Sequence, residues 1–148
     1  MPYILAAVAI NQALPQDISQ RLSGLGDALA AASDAIVFAY LFGSAATGTL
    51  TTRSDIDIAI QVAPGADVHD VRLSVTRAAA RQLGTDAVEV IVLNTAPISL
   101  AGRILGSRLV LLDRDPFARH RYESVQGRLF QDFRIREHRI LAERIAHG

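Results

Sequence analysis

The sequence predicts an α+β fold, a small mixed or antiparallel sheet flanked by helices, and three observations carry that expectation. Residues 35–42, AIVFAYLF, form an apolar run too short and too β-favouring for a helix. Residues 55–62 alternate: Asp55, Asp57, Ala59 and Gln61 fall on one side of a strand, and Ile56, Ile58, Ile60 and Val62 on the other. Around these runs lie stretches whose apolar residues recur at helical spacing.

Residues 1–10, MPYILAAVAI, lack a basic leader and read as a packing segment rather than a signal peptide. Residues 16–32 read as one helix, with Ile18, Leu22, Leu25 and Leu29 on a stripe and Asp17 at the start, where its charge favours the dipole. Ser33-Asp34 breaks the helix before the first central strand, which ends in Gly43-Ser44. Ala45-Ala46-Thr47 can begin a helical turn, and residues 48–53 form a polar loop into a second strand antiparallel to the first. Pro64-Gly65 closes that strand. Residues 67–83 predict a helix with Val68, Val71, Val75, Ala79 and Leu83 on the core side and Gly84 as its C-cap.

Residues 87–93, AVEVIVL, predict a further strand containing one acid, Glu89. A strand covered on both faces is normally an unbroken apolar run, so either this strand is an edge with Glu89 in water, or Glu89 is a third carboxylate beside Asp55 and Asp57, where a buried acid is tolerable because it faces a metal or a partner. Beyond Pro97, residues 98–105 form a short helix, Gly106 a stop and residues 108–113 a final strand. Residues 116–146 form one long helix or two in line, with Pro116 at the start. Phe117, Val125, Leu129, Phe133, Ile140 and Leu141 suggest its apolar stripe, and seven arginines between Arg119 and Arg144 make either a solvated face or a docking surface for an acidic partner. No linker divides the chain, so residues 1–148 are expected to form a single domain with a C-terminal helical segment at 116–147.

Composition narrows the functions. The 148 residues are half hydrophobic and one fifth charged, with no apolar run of the ~18 residues a membrane span needs. A soluble domain is expected. The absence of cysteine excludes disulfides, zinc–thiolate sites and thiol nucleophiles, and points to the cytoplasm. All fifteen basic residues are arginine, so lysine-based nucleotide chemistry is excluded as well. Zero formal charge argues against a general nucleic-acid binder.

The chemistry lies in residues 43–57. Residues two apart on a strand are separated by roughly 6.6 Å, so Asp55 and Asp57 can converge on one divalent cation. Without a cation, like charges so close raise each other's proton affinity. Oxygen ligands favour magnesium or manganese over zinc. Gly43 lets the backbone approach a ligand closely, and free N–H groups with the Ser44 hydroxyl suit phosphate oxygens.

Gly43-Ser44, ten residues from Ala45 to Ser54, then Asp55-Ile56-Asp57 resembles the signature of the DNA polymerase β nucleotidyltransferase superfamily. The stretch GSAATGTLTTRSDIDIAI is most similar to the minimal nucleotidyltransferases (MNT), the antitoxins encoded beside HEPN-domain toxins. The resemblance implies a polymerase-β-like fold over most of residues 15–135. It also implies Asp55, Asp57 and Glu89 as catalytic and metal-holding residues, and Gly43, Ser44 and Ser54 as nucleotide-binding ones. Two Mg2+ ions and ATP would follow, with AMP transferred to a tyrosine of a cognate HEPN toxin, in a homo- or hetero-oligomer. The chain departs from the family pattern at Glu89, where Asp is common, and at Thr47, where many members carry Arg. Two other functions stay open: an antitoxin that only occludes its toxin, and a nucleotidyltransferase acting on an aminoglycoside-like small molecule.

Overall fold

The computed structural model describes residues 14–147, so the packing expectation for residues 1–10 lies outside the described residues. Helices α1 (Ile18–Ser23) and α2 (Leu25–Ala32) precede strand β1 (Ile36–Phe42) and the single turn α3 (Ser44–Thr47). Strand β2 (Ile56–Val62), helix α4 (Val68–Leu83) and strand β3 (Val88–Val92) follow, with a 3-10 turn at Leu93–Thr95. Helix α5 (Ile98–Ser107), strand β4 (Leu109–Asp113) and the long helix α6 (Pro116–His147) complete the order.

The sheet runs β3-β2-β1-β4, with β2 and β3 parallel and the other pairs antiparallel, so the expected mixed sheet between helices is observed. Ile56, Ile58, Ile60 and Val62 pack on one face against Leu25 and Leu29 of α2 and Val71, Val75, Ala79 and Leu83 of α4. The opposite face buries Phe38, Tyr40 and Ala59 beneath Ile104 of α5, with Tyr122 of α6 alongside. A bulge between Ile36 and Phe38 sends these two residues, which regular alternation would put together, to opposite faces.

Several expectations need correction. The predicted helix 16–32 is two helices, because the chain turns at Gly24, where a side chain would run into Gln82. Asp17 stands at the start of α1 as expected, and its carboxylate accepts from Arg21 Nε at 2.9 Å. Gly106 does not stop α5, which continues to Ser107. Helix α6 is a single 32-residue helix whose first turn is capped by Asp115 Oδ1, accepting from the Ala118 N–H at 3.0 Å. Its inward stripe is not the expected one: Phe117 is 78% exposed, and Val125, Leu129, Ile140 and Leu141 also face outward. Tyr122 and Phe130 turn inward instead, and Phe130 lies so close over Gly102 that a β-carbon there would overlap its ring. Helix α4 forms as expected, with Asp67 Oδ1 accepting from the Asp70 N–H and Gly84 left-handed at φ 68°.

Candidate active site

The site lies where β1 ends and β2 begins. Gly43 follows the last residue of β1 with φ 67° and ψ −148°, a conformation essentially confined to glycine. It starts the single turn α3, whose Ala46 and Thr47 N–H groups return to the Gly43 carbonyl at 3.1 and 3.2 Å. The Thr47 hydroxyl donates to the same carbonyl at 3.2 Å. On its other side the Gly43 N–H donates to Ser107 Oγ at 3.1 Å.

Phe42 pairs with Asp57 across the β1/β2 ladder, which brings Gly43 against the Asp57 carboxylate. The approach is close enough that a β-carbon on Gly43 would overlap Asp57 Oδ2. Asp57 in turn pairs with Glu89 in the parallel β2/β3 register. In-register residues of neighbouring parallel strands point to the same face, so this placement follows from topology. Strand β3 is an edge strand and Glu89 is exposed, the first of the two alternatives, yet the register still sets Glu89 beside Asp57. Asp55 precedes β2 rather than lying in it, and is exposed on the loop. Ser54, in the same loop, accepts from the Thr51 N–H at 2.8 Å, so its hydroxyl holds the turn.

The electrostatics are one-sided. Burial first, then the charges of Glu89 and Asp55 and the hydrogen bond to Glu89, raise the Asp57 carboxyl above the ordinary aspartate value. Among the described residues, every cause that acts on Asp57 raises its proton affinity. One half-buried and two exposed carboxylates that repel one another form a donor set suited to a hard divalent cation. Among the described residues, no three His, Cys, Asp or Glu side chains already stand at ion-sharing spacing. Asp57 and Glu89 stand in register on neighbouring strands, and the charges of Glu89 and Asp55 both act on Asp57. The site is an open shelf: a cleft of about 670 Å3 lies elsewhere, on the opposite face of the sheet between α2 and α4, lined by Ser74, Arg77, Arg81 and Asp86.

Below the shelf, Glu123 of α6 gathers three donors on one oxygen. Tyr40 OH, Arg108 Nε and Arg119 Nη1 donate to its Oε1 at 2.9, 3.0 and 2.9 Å. Arg119 Nε also donates to Asp113 Oδ2 at 2.8 Å. Neither Ser107 nor Glu123 stood out in the sequence, since a helix-terminal serine and one acid among many arginines carry no local signal.

No curated protein matches the sequence. Among solved structures, a toxin–antitoxin with AMP-PNP contains a chain 22% identical that superposes with a TM-score of 0.67, covering 84% of this chain and 98% of that one. A second, a tri-AMPylated Shewanella oneidensis HEPN toxin in complex with MNT antitoxin, matches at 19% identity and a TM-score of 0.63, over 86% and 98%. The toxin–antitoxin MntA-HepT matches at 19% and 0.62 over the same shares. At these identities the likeness is one of fold. Among the described residues no helix is long and apolar enough to cross a membrane. A family model, Polymerase beta, Nucleotidyltransferase, matches residues 27–117, from α2 through every strand to the start of α6; spanning more than half of the chain, it shows that the protein belongs to that family.

Proposed function

We propose that this chain is a nucleotidyltransferase antitoxin that moves AMP from ATP to a tyrosine of a cognate HEPN toxin and so silences it. The observation that carries the reading is the placement of Asp57, pressed against the Gly43 turn and in register with Glu89, which sets a glycine turn beside two carboxylates. Structures of the same fold that bear AMP-PNP or an AMPylated HEPN toxin support the nucleotide and the partner.

The chain's own residues have distinct tasks in this reading. The Gly43–Ser44 turn holds the β- and γ-phosphates through N–H groups and the Ser44 hydroxyl, orienting pyrophosphate as the leaving group. Asp57, wedged against Gly43, fixes the α-phosphate side of the shelf relative to that turn. Glu89, exposed at the rim, accepts the proton of the incoming tyrosine hydroxyl as its oxygen attacks the α-phosphorus. Asp55, Asp57 and Glu89 would hold two magnesium ions, which when bound supply positive charge against the triphosphate. Asp55, on a loop rather than in the strand, has the freedom to complete that set.

The test is incubation of the protein with labelled ATP, Mg2+ and the product of the neighbouring reading frame. Label should move to that partner, and Asp55→Ala with Asp57→Ala should abolish both transfer and protection while complex formation persists. Undiminished protection by the double variant would instead establish occlusion without chemistry. Labelling of an aminoglycoside with no partner present would establish the small-molecule enzyme.

A further inference from the structure

We infer that Ser107, the last residue of α5, is a positioning residue of the nucleotide site: its hydroxyl holds the Gly43 turn and thereby sets that turn against Asp57. The assignment rests on the nucleotidyl-transfer reading above.

The β1/β4 ladder shows why a serine is there. Tyr40 pairs with Val110 and Leu41 with Leu109, and the same antiparallel register carried one alternate step further sets Gly43 opposite Ser107. By that point both strands have ended, since Gly43 opens α3 and Ser107 closes α5. A backbone carbonyl is therefore not offered where the ladder would continue, and the Ser107 hydroxyl takes its place, accepting the Gly43 N–H at 3.1 Å.

Gly43 needs such a hold. Its backbone lies in a region essentially confined to glycine, and it is pressed so close to the Asp57 carboxylate that a small shift of the turn changes that approach. Its carbonyl is tied to α3, so the N–H contact to Ser107 is what ties the turn to the rest of the protein on the α5 side. Ser107 is itself held on a stiff corner. Arg108 donates to the Leu105 carbonyl at 2.6 Å and to Glu123 at 3.0 Å, and Phe130 of α6 packs over Gly102 one turn earlier. A displacement of the turn by about 1 Å would misplace a bound triphosphate enough to cost about 100-fold in rate.

The experiment compares wild type, Ser107→Ala and Ser107→Thr in two measurements. Amide exchange at Gly43, followed by NMR, should speed up about tenfold or more in S107A and stay near wild type in S107T, with thermal midpoints of all three within about 2 °C. Steady-state transfer from ATP should fall about 10- to 100-fold in kcat/KM for S107A, and S107T should restore it to within about threefold. An active wild type whose S107A variant matches it in both measurements overturns the assignment alone. A wild type that neither binds nor uses ATP overturns the nucleotidyl-transfer reading and this assignment with it, while Gly43 exchange still reports whether the contact exists.

Discussion

Asp57 is the residue whose energetics are most exposed to test. Because its folded-state pKa is raised, the folded protein binds this proton more tightly than the unfolded chain, so stability declines as pH rises through the raised value. Ionised Asp57 thus opposes folding at neutral pH unless a cation offsets Glu89 and Asp55. Asp57→Asn should lose transfer and melt about 2–4 °C above wild type without metal, which differential scanning calorimetry measures. Millimolar Mg2+ should raise the wild-type midpoint by a similar amount and leave the variant unmoved, and the rise should shrink as acid protonates Asp57. Glu123 behaves in the opposite sense. Burial alone would push its carboxyl up, but hydrogen bonds from Arg108, Tyr40 and Arg119 outweigh this and hold it below the ordinary glutamate value of 4.5. Its contribution is therefore complete above pH 4.5 and disappears as pH falls through the depressed value. Glu123→Gln should lower stability by about 2 kcal/mol at pH 7 and flatten the acid limb of the pH–stability curve, as read by urea unfolding. Tyr40 stays a donor throughout, since burial and then the Glu123 charge raise its phenol far above the ordinary value.

At the scale of elements, the site depends on how helices α5 and α6 meet. Gly102 is buried and has no room for a side chain beneath Phe130, so α6 rests on the backbone of α5. Gly102→Val should separate the two helices and cost about 1–3 kcal/mol, with a lowered urea midpoint as the measurement. Secondary elements were largely legible because their signals are local: Gly84 at a left-handed C-cap, Asp67 at an N-cap, alternation in β2. The failures came from tertiary packing. The periodic stretch divides at Gly24, where Gln82 of α4 comes close, and the apolar stripe of α6 was misplaced because many of its apolar residues are exposed.

At the scale of the whole molecule, α6 extends beyond the body that its first half covers. Residues 134–147 are exposed without exception, including Ile135, Ile140, Leu141 and Ile145. A chain ending at Phe133 should therefore keep its thermal midpoint within about 2 °C, whereas a chain ending before Tyr122 should lose the packing over Phe38 and Tyr40 and unfold. The sequence by itself determined the four strands, most of the helices and the Gly43-Ser44 and Asp55-Ile56-Asp57 pattern, because each depends on neighbours a few residues apart, and its composition excluded cysteine and lysine chemistry. Only the tertiary structure decided that Glu89, on an edge strand, faces Asp57, that Ser107 grips Gly43, and that Glu123 ties α6 to β1. Those contacts join residues 32, 64 and 83 positions apart, and they come from strand order and register, which no local preference of the chain encodes.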